Sequence, residues 1–67
     1  MSDILTCLVE DRRYSVPTLR LVEADGDVAS LQALAQGELR ACEDHLAVEI
    51  YGEGGLVLWR ETRPAGR

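Results

Sequence analysis

Leu46-Ala47-Val48-Glu49-Ile50-Tyr51, then Gly52-Glu53-Gly54-Gly55, then Leu56-Val57-Leu58-Trp59-Arg60-Glu61 is the stretch on which the fold turns. Leu46, Val48 and Ile50 alternate with Ala47, Glu49 and Tyr51, which is the period of a strand buried on one side. The glycine-rich segment turns the chain into a second strand. It contains a carboxylate and no lysine, and it joins two strands rather than opening a helix, so it is a hairpin turn and not a phosphate cradle. Pairing across the turn sets Ile50 against Val57 and Val48 against Trp59. Leu46, Val48, Ile50, Val57 and Trp59 then form one apolar face. The other face carries Ala47, Glu49, Tyr51, Leu56, Leu58 and Arg60.

Upstream of this hairpin the period changes. Val28, Leu31, Leu34, Ala35, Leu39 and Cys42 recur at spacings of three and four, an apolar stripe along one side of a helix. Asp25-Gly26-Asp27 precedes the stripe, and Asp27 suits an N-cap, where its carboxylate accepts from free backbone N–H groups and opposes the helix dipole. Gly37 costs about 1 kcal/mol relative to Ala in a helix, but the stripe resumes in phase at Leu39. The expected helix therefore runs from about Asp27 to Cys42, with Val28, Leu31, Ala35 and Leu39 facing a sheet.

The first part of the chain is a second hairpin. Ile4 to Val9 is rich in apolar and β-branched residues and ends in the polar cluster Glu10-Asp11-Arg12-Arg13. Tyr14 to Ala24 is the return strand, weaker before Pro17, which cannot donate to a ladder. A turn centred on Arg12-Arg13 sets Val9 opposite Val16 and Ile4 opposite Leu21. Ile4, Leu8, Leu19 and Leu21 share one face of this hairpin, and Leu5, Cys7, Val9, Val16 and Val22 share the other. Neither side is wholly polar.

The order is strand-strand-helix-strand-strand: an α+β domain of ββαββ type, a mostly antiparallel sheet of two hairpins with one helix packed on a face. Whether the hairpins join in one sheet or in two stays open at this point. Sixty-seven residues leave room for a single domain, residues 1–67, with 62–67 expected to be a flexible tail after Glu61. The run from the helix into Leu46-Ala47-Val48-Glu49-Ile50-Tyr51-Gly52 and on to Leu56-Val57-Leu58-Trp59-Arg60 resembles short bacterial proteins of no known activity. In those, a small strand pair and an Ala/Leu-rich helix precede a V-E-V-aromatic strand and a polar turn. The resemblance implies the fold and assigns no residue a role.

Twelve acidic residues against seven basic ones give a formal charge of −5, a sign that phosphate backbones repel. With two Tyr, one Trp and no Phe, stacking platforms for single-stranded nucleic acid are also missing. No apolar segment approaches the roughly 20 residues that span a bilayer, and no basic stretch ahead of an apolar run marks a leader, so a cytoplasmic location is expected. Cys7 and Cys42 are too few for a disulfide framework, and reduced thiols suit that compartment.

The one cluster with catalytic residue types is Cys42-Glu43-Asp44-His45, at the helix end. A helix C-terminus carries negative partial charge and does not stabilise a thiolate, so Cys42 is read first as the last core residue of the stripe and His45 as a terminus residue. A thiol- or metal-dependent activity at Cys42 and His45 stands as an alternative, although two ligands fall short of the three or four that zinc needs. Glu23-Ala24-Asp25-Gly26-Asp27 lacks the spacing of a calcium loop. No catalytic residue, cofactor or metal is therefore assigned, and a non-enzymatic protein-interaction module is expected. Tyr51, Leu56 and Leu58 form its expected interface, with self-association as a two-fold homodimer or another protein as partner. A second alternative is an acidic regulator that occupies a basic site on a partner protein.

Overall fold

The computed structural model describes residues 3–63. Strand β1 (Asp3–Asp11) and strand β2 (Thr18–Ala24) are followed by helix α1 (Val28–Ala41), strand β3 (His45–Tyr51), a short 3-10 turn (Glu53–Gly55) and strand β4 (Val57–Thr62). The strands form one sheet in the order β2-β1-β3-β4, and every neighbouring pair is antiparallel. The two hairpins thus join through β1 and β3. β1 is the longest strand and the one whose core-facing residues are buried in unbroken alternation, which suits its central place. β2 and β4 are the edges.

One face of the sheet is the core. Leu5, Cys7 and Val9 from β1 and Val48 and Ile50 from β3 meet Leu31, Ala35 and Leu39 from α1, all of them buried. Burying each Leu, Ile or Val contributes roughly 1.5–3 kcal/mol. Ala35 has no side chain beyond Cβ to hold the helix away. Asp27 caps α1 as expected, its Oδ2 accepting from Ser30 N at 3.1 Å. The helix ends one residue early, because Cys42 is already extended at the C-cap. Val28 does not face the sheet: it is 62% exposed. It occupies the first helical position, a full turn before Leu31 reaches the core. Gly37 lies on the outer side, where an added Cβ would meet nothing within 4 Å.

Both hairpins are paired two residues away from the simple expectation. Val9 lies opposite Thr18, not Val16, and Ile4 opposite Glu23, not Leu21. The cause is a longer turn: Asp11 Oδ1 accepts from Arg13 N at 2.9 Å and Asp11 O from Tyr14 N at 3.1 Å, and β2 starts only after Pro17. Val16 therefore sits in the turn, exposed. A shift of two keeps every side chain that stays in the strands on its expected face.

The second hairpin shifts with consequences. Ile50 pairs with Trp59, and Tyr51 with Val57, so Leu58 is an extra residue on β4. Gly54 and Gly55, at φ 82° and 83°, build the turn that Gly52 N closes on Leu56 O at 2.9 Å. The bulge sends Leu58 to the helix side, partly buried against the core. The expectation that Leu58 shares a face with Tyr51 is thereby corrected. Thr62 closes β4 opposite Ala47 and Arg63 N donates to Leu46 O at 2.8 Å, so the chain stays paired into the expected tail. Residues 64–67 lie outside the described residues.

Candidate functional site

Helix α1 packs on β3 and β4 from the core side and leaves the opposite face of the sheet open. Reading across from β2 to β4, one row of this open face is Leu21, Thr6, Tyr51 and Val57, and the next is Leu19, Leu8, Glu49 and Arg60. Ile4 lies above the first row, and Glu10, Ala47 and Thr62 form the row below the second. Ile4, Leu19 and Leu21 are 62%, 60% and 68% exposed. An open antiparallel face ordinarily alternates to polar residues. Here the β1–β2 half is apolar.

Two hollows lie side by side on that face. The larger, about 580 Å³, has Ile4, Thr6, Leu8 and Leu19 as its floor and Tyr51 with the Gly52–Gly55 turn as its wall. The smaller, about 240 Å³, is bounded by Leu8, Glu10, Pro17, Ala47, Glu49 and Arg60. Glu49 takes a hydrogen bond from Tyr51 Oη at 2.9 Å and an ion pair from Arg60 Nε at 3.2 Å. The bond to Glu49 raises the Tyr51 pKa, because the phenol donates it only while protonated.

A polar cluster occupies the end of the molecule where the first turn meets the C-terminus of α1. The Asp11 carboxylate is almost fully buried and accepts from Arg13 Nε at 3.0 Å and Nη2 at 2.7 Å. Those hydrogen bonds hold the Asp11 carboxyl down at about 2, against 3.8 ordinarily. Asp44 pairs with Arg12 Nε at 3.2 Å and Arg13 Nε at 3.3 Å. Arg63 donates to Leu39 O, to Cys42 O at 2.9 Å and to His45 O at 2.8 Å, which satisfies the last carbonyls of the helix and complements its dipole.

Cys42 and His45 both lie in this cluster, but neither ring nitrogen is turned to the thiol. His45 Nδ1 meets Glu38 O at 2.6 Å and Nε2 faces Asp11 Oδ2 at 3.6 Å. Cys42 Sγ approaches Asp44 Oδ2 at 3.9 Å. The carbonyl of Glu38 can only accept, so Nδ1 carries a proton. This arrangement ties β1, α1 and β3 together. Among the described residues, no group of three or more His, Cys, Asp or Glu side chains is placed to hold a metal ion. Cys7 and Cys42 are both free thiols, and Cys7, in the core, has its thiol pKa pushed up by burial and secondarily by Glu38. No helix of the described residues is long and apolar enough to cross a membrane.

The residues expected to form one interface are divided. Tyr51 belongs to the open face, whereas Leu56 and Leu58 border a hollow of about 210 Å³ with Asp3, Leu5, Gly52 and Glu53. Leu56 is as exposed as Leu21, and the apolar residues that share the open face with Tyr51 are Ile4, Leu19 and Leu21, exposed, with Leu8 half-buried among them. Their signal was their shared face in the first hairpin; what the pattern lacked was which face the helix covers. Compared with protein-family models, with curated proteins and with solved structures, the chain matches none.

Proposed function

We propose that the protein is a small, non-enzymatic interaction module that docks another protein chain through the open face of its sheet. The observation that carries this reading is the exposure of Ile4, Leu19 and Leu21 side by side on a face with no helix over it. The largest contiguous apolar patch on a small protein's surface is often its interaction site. Charge selects the partner: Glu10, Glu23, Glu49 and Glu53 surround the patch, Arg60 is the one base among the described residues of that face, and the chain as a whole carries −5. A partner of basic character fits that rim. Free thiols at Cys7 and Cys42 fit a reducing compartment, and the cytoplasm is the compartment proposed.

A homodimer is the second reading, favoured by the Glu49–Arg60 pair, which makes the charged half of the face internally neutral. A four-stranded sheet of this length presents roughly 20 × 25 Å, whereas a standard interface takes about 800 Å² from each partner. A second copy would have to use the whole face and bring its own carboxylates with it. Sedimentation velocity from micromolar to near-millimolar protein separates the two: a monomer throughout supports a different partner, and a dimer abolished by Leu21→Glu supports self-association. If Leu19→Ser combined with Leu21→Ser unfolds the chain, the patch is core and the docking reading falls.

A further inference from the structure

We infer that the open face takes a two-part segment of a basic partner protein: an aliphatic side chain in the hollow beneath the Gly52–Gly55 turn, and a lysine or arginine beside Glu10. This rests on the docking role proposed above and adds what the docked segment must carry. The two hollows adjoin at Leu8 and succeed one another along β1, the larger from Ile4 to Leu8 and the smaller from Leu8 to Glu10. The larger has an aliphatic floor of Ile4, Leu8 and Leu19 and, at about 580 Å³, room for a whole branched side chain. Its wall is a turn with two glycines at positive φ, which have no side chains to fill the space.

The smaller hollow differs in its unsatisfied charge. Glu49 is already bound by Arg60 and Tyr51, whereas Glu10, exposed at the rim, has no ion pair or side-chain hydrogen bond to any described residue. A cation docked there would meet a carboxylate whose partnering is still to be made. A carboxylate docked there would be repelled by Glu10 and Glu49 together. From Thr6, mid-floor of the larger hollow, to Glu10 is four residues of strand, about 13 Å at 3.3 Å per residue. The segment's aliphatic and basic side chains are therefore separated by four residues of extended chain or about two turns of helix. A second copy of this chain would bring its own Glu10 to the same rim.

The test is a titration of the uniformly ¹⁵N-labelled full chain with three synthetic peptides. One carries leucine and lysine four residues apart in a Ser/Thr background, one has glutamate for the lysine, and one has serine for the leucine. The expected result is amide shifts concentrated at Ile4, Leu8, Glu10 and Leu19 for the leucine–lysine peptide. Its advantage over the glutamate peptide should be up to about five-fold in affinity, the range an exposed ion pair supplies. Glu10→Gln should erase that advantage, and Asp27→Asn, at the N-terminus of α1 and so at the opposite end of the molecule from Glu10, should leave it intact. Equal binding of the lysine and glutamate peptides, or an advantage that survives Glu10→Gln, overturns the two-part reading and leaves the docking face standing. If no peptide shifts any open-face amide, the docking role falls with it.

Discussion

Asp11 Oδ2 stands 2.7 Å from Arg13 Nη2, and Oδ1 of the same carboxylate takes the backbone N–H of Arg13 at 2.9 Å. One side chain thus shapes the first turn and neutralises the guanidinium that follows it. The contact also sets a pH dependence. The folded carboxyl sits at about 2 and the unfolded one at 3.8, so its contribution is fully present above the unfolded value and is lost as pH falls through the folded one. Asp11→Asn is expected to lower the urea midpoint at pH 7, with the gap from wild type closing between about pH 4 and pH 2. A gap as wide at pH 2 as at pH 7 would show that the carboxylate's charge is not what holds the turn.

The two thiols should react at very different rates. Cys7 is fully buried, and burial keeps its thiol protonated, whereas Cys42 is partly exposed at the helix end. With an aromatic disulfide reagent, one equivalent is expected to react from the native chain and the second only on unfolding. Mass spectrometry of the labelled peptide should find Cys42. Labelling of Cys7 at the same rate would mean that β1 opens readily beneath the helix.

Helix α1 is held from its end and from its face, and the two differ in size. Asp27→Ala removes the bond to Ser30 N and is expected to lower the melting temperature by about 5 °C. Leu31 is 3% exposed, and Leu31→Ala should cost about 3 kcal/mol through lost burial and the cavity left behind. In a chain of this length that is a large share of the total stability. Thermal unfolding followed by circular dichroism tests the order of the two effects.

Most of the architecture was legible because two periods, one near two and one near three and a half, mark the strands and the helix. The core set Leu31, Ala35, Leu39, Val48 and Ile50 follows from those periods, and the cap at Asp27 from its residue type just ahead of the helical stripe. The registers did not, since they depend on turns whose length is decided by side-chain bonds such as Asp11 to Arg13 and by glycine conformations at Gly54 and Gly55. In the first hairpin the error was even and harmless. In the second it came with a bulge at Leu58, which puts Val57 on the Tyr51 face and Leu58 on the helix side, the reverse of the alternation read from the sequence. Tyr51 is thereby parted from Leu56 and Leu58, which border a different hollow. The sharing of a face by Ile4, Leu8, Leu19 and Leu21 was legible; that α1 would cover the other side depends on tertiary packing.

The bulge makes opposite predictions for two leucines that look alike in the sequence. Leu21 is 68% exposed on the open face, beside Thr6, and a charge there stays in water. Leu58 packs against the buried core, close enough that a Cβ on Gly52 would lie 3.0 Å from its Cδ1. Leu21→Glu is expected to keep the melting temperature within about 4 °C of wild type, since exposed substitutions stay within roughly 0.5 kcal/mol. Leu58→Glu gives up apolar burial and forces a carboxylate toward the core, at a cost of about 2–3 kcal/mol, and should lower the melting temperature by about 10 °C or more. Docking should show the reverse order: Leu21→Glu weakens the leucine–lysine peptide by adding a charge to the patch, while the folded fraction of Leu58→Glu still binds it. Equal destabilisation by the two changes would place Leu21 in the core. If Leu58→Glu instead abolishes binding at no cost in stability, the docking surface lies on the Leu56–Leu58 side of the sheet.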